Sequence, residues 1–336
     1  MIRNRLTRPA FTLIEMMVAM ALSLGIMLIL TESFKMALDF VRSAHSTGEM
    51  ISQLNGAGIL LTRDLNTDHF MDPKTPLVNG PKLSDQRLDL PGWPPSTGGF
   101  FRIYAPPVAV ETTDPQGFNI NAPAVNHQLH FTSIIPVGSG GSAFTALSGG
   151  SFYGSETAEI AYFLAQMDPP VGKRTSVTAS GQPLYNLIRR ERLVAKTTAE
   201  QPSLAPAAAD TNVISAVGPN VNTMASVMNA TPPFRMTLPN SFAAGTPRFG
   251  DDIVVSNVLS FEVQADWSTS GAVAPPRTFA SGNTDAPYDF LPGTGLFDTG
   301  ATPPPMMARI KSLQIMIRVY DPRLKQSRQN TWKFAM

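Results

Sequence analysis

The feature that most constrains this chain is an apolar run of twenty residues near its N-terminus. Residues 11–30 read FTLIEMMVAMALSLGIMLIL and carry a single charge, at Glu15. As a helix, at about 1.5 Å per residue, this run reaches about 30 Å, the thickness of a bilayer core. Arg3, Arg5 and Arg8 precede the run without an acid to balance them. Because such cations stay in the cytoplasm, the pattern predicts one membrane span with a cytoplasmic N-terminus and a translocated body.

Three interpretations of this run are open from composition alone. A cleaved secretory signal peptide needs small residues at a site just after the run, and Thr31-Glu32-Ser33 fits such a site poorly. An uncleaved signal anchor explains the run and the arginines but gives no reason for Glu15. A carboxylate costs about 2.5–3.5 kcal/mol at the bilayer centre, and less near the interface. The third interpretation supplies that carboxylate with a partner.

The residues around the run match a processing motif. The segment RPAFTLIEMMVAMALS, residues 8–23, resembles the type III prepilin leader of bacterial type IV pilins and of the pseudopilins of type II secretion. The resemblance implies a leader over residues 1–10, cleavage between Ala10 and Phe11 by a membrane-embedded prepilin peptidase, and N-methylation of the new Phe11 amine. The implied recognition residues are Arg8, Pro9, Thr12, Leu13, Ile14 and Glu15. The family usually has Gly before the cut, where this chain has Ala10, the next smallest residue.

The resemblance also implies an assembly role for Glu15. In the family, a glutamate at this place faces the free N-terminal amine of a neighbouring subunit. A buried charge is tolerable when paired and costly when alone, so the pair would favour helices that lie side by side at matched height. The implied partners are the peptidase, other pilin or pseudopilin subunits, an inner-membrane assembly platform and the lipid bilayer. The implied location is the inner membrane, with the body in the periplasm or, after assembly, outside the cell.

Apolar residues at helical spacing continue beyond the span. They include Phe34, Leu38, Leu54, Leu61 and Leu65. This spacing predicts that the transmembrane and filament-core helix of residues 11–30 extends as an amphipathic helix over residues 31–66. Glycines at 48, 56 and 58 weaken the pattern and favour a kink or a frayed stretch of helix.

From residue 67 onward, strand-like runs alternate with turn-rich stretches. The strand-like runs are 100–105, 127–135, 157–166, 184–194, 252–267, 309–320 and 327–334, with a shorter candidate at 82–90. Long inserts at 136–155, 196–250 and 268–308 predict surface loops. Residues 67–336 are therefore expected to form a β-rich exported domain. The predicted fold class is α+β and pilin-like, with the long N-terminal helix packed on an antiparallel sheet body with long loops.

Parts of the body are similar to the larger minor subunits of this family. The runs EIAYFL at 159–164 and LYNLIRRERLV at 184–194 resemble a strand pair of J-type pseudopilins, and VVSNVLSFEVQADW at 254–267 resembles a later strand. The chain is also similar to PilW-like minor pilins and to the C-type cassette proteins of Verrucomicrobia (the Verru_Chthon group). This implies a structural subunit for initiation, the tip or substrate contact. The alternative is an uncleaved, membrane-anchored adhesin or binding module, with the loops at 67–126 and 196–250 as its ligand face.

Composition and spacing argue against several chemical functions. The chain has no cysteine, which removes disulfides and thiolate sites, and its net charge of +1 argues against a nucleic-acid partner. His127 and His130 are three residues apart, which places them on opposite faces of a strand. Asp64-x-Asn66-x-Asp68 lacks the Gly and Glu that a Ca²⁺ loop requires. We therefore expect no metal site, no cofactor and no enzymatic activity.

The run at 184–194 carries Arg189, Arg190 and Arg192 around Glu191. Arginine is seldom fully buried unless it is paired. These residues are therefore expected to line an exposed strand face, with a contact to another subunit as the alternative.

Overall fold

A computed structural model of the chain describes residues 12–71, 80–96, 98–105, 110–113, 119–123, 126–135, 144–148, 151–166, 177–178, 181–194, 224, 251–268, 288, 296–300 and 306–336. The chain divides into two compact units, Met1–Glu49 and Met50–Met336. Of the predicted insert at 196–250, all residues except Met224 lie outside the described ones.

One long helix, α1, spans Leu13–Leu65. It is continuous through Gly48, Gly56 and Gly58, so these glycines do not interrupt the helix. Its last turn closes when the Asn66 N–H donates to the Thr62 carbonyl oxygen at 3.1 Å. The helix therefore ends one residue before the predicted boundary.

Twelve strands and one short 3-10 helix, Leu83–Asp85, follow α1 among the described residues. The strands are β1 (Phe101–Tyr104), β2 (Val110–Thr113), β3 (Asn119–Pro123), β4 (Gln128–Ile134), β5 (Phe144–Ser148), β6 (Ser151–Ser155), β7 (Thr157–Gln166), β8 (Tyr185–Val194), β9 (Asp251–Ser268), β10 (Leu296–Asp298), β11 (Arg309–Asp321) and β12 (Gln326–Ala335). All seven long runs predicted as strands are strands, with bounds within one residue of the prediction. The predicted strand at 82–90 is wrong, because the Asp85 carboxylate accepts the Lys82 N–H at 3.1 Å and closes a 3-10 turn there.

Eight strands form one antiparallel sheet in the order β10-β1-β4-β7-β8-β9-β11-β12. Two separate hairpins, β2–β3 and β5–β6, accompany it. The second hairpin lies in the insert expected at 136–155, and β10 lies in the insert expected at 268–308, so both inserts contain strands. One long N-terminal helix followed by an antiparallel sheet confirms the predicted α+β class.

From Met50 onward, α1 packs an apolar stripe on one face of the sheet. The buried helix residues Met50, Leu54, Ala57, Leu61 and Leu65 are 0–6% exposed. They belong to one core cluster with alternate residues of the central strands, among them Ile160, Phe261, Val263 and Ile315. Because side chains alternate across a strand, the residues between them occupy the other face of the sheet.

Candidate functional site

The start of α1 is closed by a reciprocal cap between Thr12 and Glu15. The Glu15 Oε2 accepts hydrogen bonds from the Thr12 backbone N–H at 2.9 Å and from the Thr12 hydroxyl at 3.0 Å. The Glu15 backbone N–H donates in turn to the Thr12 hydroxyl oxygen at 3.3 Å. This arrangement is a capping box, which satisfies backbone donors that a helix start leaves free. Glu15 therefore has a role within its own helix in addition to the one predicted for it.

The structure describes four of the predicted processing residues, which are Thr12, Leu13, Ile14 and Glu15. The cap contains Thr12 and Glu15, and between them Leu13 and Ile14 are 77% and 73% exposed. The remaining predicted residues lie outside the described ones, namely Arg8, Pro9, Ala10 and Phe11.

The first part of α1 presents apolar side chains around its circumference. From Leu13 to Val41, the large apolar side chains are 40–77% exposed. Among the described residues, α1 is the one helix long and apolar enough to cross a membrane by length and composition, and none of its most apolar window is buried. The Ser23 and Thr31 hydroxyls donate to the Met20 and Met27 carbonyl oxygens at 2.9 and 2.7 Å. These polar groups are thus satisfied within the helix, as an apolar environment requires.

Within the body, Asp64 is the centre of a buried hydrogen-bond network. Its Oδ2 accepts from the Tyr162 hydroxyl on β7 at 2.6 Å and from Arg189 Nε on β8 at 2.5 Å. Its Oδ1 accepts from Arg189 Nη2 at 3.2 Å and from Arg63 Nε at 3.0 Å. Asp64, Tyr162 and Arg189 are 1%, 0% and 3% exposed. One carboxylate therefore joins the last turns of α1 to two central strands.

The environment of Arg189 and Tyr162 raises the pKa values of both groups. Burial opposes the charge of Arg189, but the hydrogen bonds and charge of Asp64, with Tyr162 and Glu191, raise the pKa of Arg189 above its ordinary value. Burial and the Asp64 charge raise the pKa of Tyr162 well above its usual range. Arg189 is consequently a cation and Tyr162 a neutral donor near neutral pH. Since a general acid or base works best with a pKa near the ambient pH, this arrangement suits a structural tie rather than proton transfer.

The expectation that Arg189 and Arg190 lie on an exposed strand face is wrong. Arg189 is buried against Asp64, and its Nη2 also donates to Glu191 Oε2 at 2.8 Å. Arg190 is 6% exposed, and its guanidinium carbon lies 5.3 Å from the centre of the Phe163 ring. Consecutive strand residues point to opposite faces, so the two arginines occupy two separate buried settings. The side chain of Arg192 lies outside the described residues.

The histidines at 127 and 130 have different partners. His127 Nδ1 lies 2.8 Å from the Val263 backbone nitrogen and 3.1 Å from the Val263 carbonyl oxygen, so the ring is held against β9. Burial lowers the pKa of His127 to about 4. His130 Nε2 lies 2.7 Å from Glu159 Oε1, and both side chains are buried.

A third buried histidine, His69, follows α1. Its Nδ1 donates to the Thr132 carbonyl oxygen at 2.9 Å. The ring lies edge-on to Phe101 and Phe131, with centroids 5.0 Å away in both cases. Burial lowers the pKa of His69 to about 4. His69 is therefore neutral at physiological pH and belongs to the aromatic packing beneath β1 and β4.

The sheet face opposite α1 carries a buried polar row. Gln264 Nε2 donates to Glu262 Oε1 at 2.6 Å, and Gln314 Nε2 donates to Gln264 Oε1 at 3.1 Å. Burial raises the pKa of Glu262 to about 7, although the Gln264 hydrogen bond and the Arg318 charge oppose this rise. Glu262 therefore titrates near neutral pH.

A cavity of about 190 Å³ lies where α1 ends. Its lining includes Asp68, His69 and Lys82, together with the last residues of the chain. The described residues contain no group of three or more His, Asp or Glu placed to hold a metal ion. Asp64, the first position of the Asp64-x-Asn66-x-Asp68 spacing, is instead committed to Arg189 and Tyr162.

Two features of these sites were missed from sequence. The T-x-x-E pattern at Thr12 to Glu15 was readable as a capping box. The Asp64–Arg189 pair joins residues 125 positions apart, so no local pattern reveals it.

No protein-family model, curated protein or solved structure matches this chain. The described residues by themselves establish a long, apolar N-terminal helix followed by an antiparallel β-sheet body, which is a pilin-like architecture.

Proposed function

We propose that this chain is a minor pilin-like or pseudopilin-like structural subunit. A prepilin peptidase cleaves it between Ala10 and Phe11, and the new Phe11 amine is N-methylated. The mature chain is held in the inner membrane by residues 11–30 and assembles into a type IV pilus or a type II secretion pseudopilus. There it serves initiation, the tip or substrate contact, and the protein works by assembly rather than by catalysis.

The observation that supports this proposal best is that α1 has an exposed apolar part followed by a part that packs on the sheet. Up to Val41, its large apolar side chains are exposed, whereas from Met50 onward an apolar stripe is buried against the sheet. An exposed apolar helix of this length must be covered in water. Lipid covers it before assembly, and the helices of other subunits cover it in a filament.

The geometry of Glu15 supports a pairing role as well. Thr12 occupies Oε2, while Oε1 receives no hydrogen bond from the described residues. Cleavage after Ala10 creates an amine at Phe11, within the same apolar layer. Oε1 of one subunit and the amine of the next then neutralise each other, which an apolar layer strongly favours over two separate charges.

The first test is the N-terminal residue of the protein taken from its native membrane, measured by mass spectrometry. A chain that starts at N-methyl-Phe11 supports the proposal. A chain that still starts at Met1 overturns it and favours the uncleaved, anchored adhesin or binding module.

A second test separates the two roles of Glu15. Glu15→Gln keeps the capping box, because Gln also serves at that position, but it removes the charge that would pair with the amine. We expect this variant to insert and to be cleaved but to be largely missing from sheared filaments, as judged by immunoblotting. Glu32→Ala, at an exposed acid of the same helix, is the control and should assemble normally. Normal incorporation of Glu15→Gln would exclude the pairing role.

A further inference from the structure

Strand β12 lies at the end of the eight-stranded sheet. Among the described strands it is hydrogen-bonded on one side only, to β11, with Cα pairs running from Ser312 and Ala335 to Asp321 and Gln326. Its ten residues make it long for an edge strand. Six of them are exposed and three are half-buried. A long edge of this kind offers backbone groups to a further strand.

The direction of these backbone groups follows from one hydrogen bond. The Met336 N–H donates to the Lys311 carbonyl oxygen on β11 at 3.1 Å. Backbone N–H groups alternate between the two sides of a strand, so even-numbered residues of β12 face β11 and odd-numbered residues face outward. The Thr331 N–H agrees with this assignment, because it donates to the neighbouring Asn330 Oδ1 at 3.0 Å instead of to β11.

Strand β12 and the turn before it are positively charged. Residues 322–336 contain four cations, Arg323, Lys325, Arg328 and Lys333, and no Asp or Glu. Arg323, Lys325 and Arg328 are exposed, and no carboxylate of the described residues forms an ion pair with them. Asp321, the nearest acid, accepts the Arg323 and Leu324 N–H groups at 2.6 and 3.2 Å and so holds the turn.

We propose that the outer edge of β12 binds an extended, acidic segment of another protein, which adds to the sheet as a further strand. The backbone ladder supplies affinity, and the cations select the sign of the partner's charge. A second copy of this chain is the less suitable occupant, because pairing two β12 edges would bring the cations of both copies together. The same cations thus oppose self-association, which is a known use of Lys and Arg on edge strands.

The test uses the full chain in an uncharged detergent and three fluorescent peptides of eight residues. One peptide alternates glutamate and valine, the second alternates lysine and valine, and the third is the acidic peptide with N-methyl groups on alternate backbone nitrogens. Fluorescence anisotropy should show that the acidic peptide binds about tenfold or more tightly than either of the others. Equal binding of the N-methylated peptide would exclude strand addition, and equal binding of the lysine peptide would exclude charge selection.

Two variants locate the site on β12. Arg328→Glu should weaken binding of the acidic peptide by about five- to tenfold, whereas Arg42→Glu, the same charge change on α1, should leave it unchanged. Thr331→Pro removes an outward N–H, together with its hydrogen bond to the Asn330 side chain, but no bond to β11, so binding should fall while the melting temperature changes little. Unchanged binding in Arg328→Glu overturns the proposal even if Thr331→Pro does not fold. A dimer of the full chain that Thr331→Pro abolishes would assign the edge to a second copy and overturn it as well.

Discussion

The Asp64 carboxylate on α1 connects the helix to strands β7 and β8, which lie far from it in the sequence. It receives hydrogen bonds from Tyr162 and Arg189, both buried, and from Arg63, whose side chain is 57% exposed. Removing water from these charges is costly, and the cost is offset only while every partner is present. The network is therefore sensitive to the loss of a single member, whereas replacement of the whole ion pair by apolar groups costs less.

This sensitivity predicts different effects for the two arginines that bind Asp64. Arg189→Met leaves the carboxylate buried without its main partner and should lower the free energy of unfolding by about 3–5 kcal/mol in urea titrations. Arg63→Met removes a partner on the solvent side and should cost at most about 1 kcal/mol. The double variant Asp64→Leu with Arg189→Met should recover part of the loss. Equal effects of the two single variants would contradict a buried network centred on Asp64.

Glu262 makes the stability of the body depend on pH. Its pKa is about 7 in the folded protein against an ordinary value of 4.5, so the folded state holds a proton that the unfolded state releases between these values. The stabilising contribution is complete below about pH 4.5 and is lost as the pH rises through about 7. Glu262→Gln cannot ionise, so its stability relative to the natural protein should rise by about 1–3 kcal/mol from pH 5 to pH 8.

The control for this measurement is Asp252→Asn, at an acid of the same strand whose side chain is 73% exposed. The difference in stability between Asp252→Asn and the natural protein should change little over the same pH range. His69 and His127 have the opposite effect on stability. Their pKa values of about 4 in the folded protein lie below the ordinary value of 6.5, so the stability that they contribute is lost as the pH falls from 6.5 towards 4. A flat difference between Glu262→Gln and the natural protein would show that Glu262 is ionised in the fold throughout.

At the scale of elements, the contact between α1 and β12 depends on the absence of a side chain. Gly58 is buried on the helix, and a Cβ there would overlap the indole ring of Trp332 on β12. Gly56 lies two positions away, and a Cβ there would meet nothing within 4 Å. The two glycines look equivalent as helix weakeners in the sequence, but only Gly58 permits close packing of the helix on the sheet.

The two glycines therefore predict opposite results for the same substitution. Gly56→Ala should stabilise the body by about 0.5–1 kcal/mol, since Ala is the better helix former. Gly58→Ala gains the same propensity but forces Trp332 to move, and it should destabilise by about 1–3 kcal/mol. Thermal unfolding followed by tryptophan fluorescence measures both. Stabilisation by Gly58→Ala would mean that the indole ring moves aside at little cost.

At the scale of the whole molecule, the core belongs to one of the two compact units. Every residue of the main core cluster lies at or after Met50. The buried helix residues of that unit cover one face of the sheet, so the helix segment from 50 to 65 is part of the domain and not a linker. The boundary between units falls within α1, at Glu49 and Met50.

This boundary predicts where the chain can be shortened. A chain that starts at Met50 retains the whole core cluster and should be soluble without detergent, with a single cooperative unfolding transition. A chain that starts at Thr67 lacks the helix and leaves an apolar sheet face uncovered, so it should aggregate. Size-exclusion chromatography and circular dichroism compare the two. A soluble, cooperatively folding chain from Thr67 would show that the helix segment is dispensable for the core.

The bounds of the main elements could be predicted because their signals are local. Strand-like runs bounded by turn-rich stretches placed β4, β7, β8, β9, β11 and β12 within one residue, and helical spacing placed the end of α1. The short strand β10 was missed, because it has three residues and exists through pairing with β1, which lies almost two hundred positions earlier. Its stabilising bonds come from a partner that no local window contains.

The sequence by itself determined that a long apolar helix precedes an antiparallel β body, because composition and periodicity act over neighbouring residues. The tertiary structure alone decided which charges are buried and with what partner. Arg189 has the local pattern of a solvent-facing strand residue, but the approach of Asp64 from α1 excludes water from it and satisfies its guanidinium. The physical reason is that burial and pairing of a charge depend on groups brought together by the fold, whereas helix and strand periodicity depend on the chain's own neighbours.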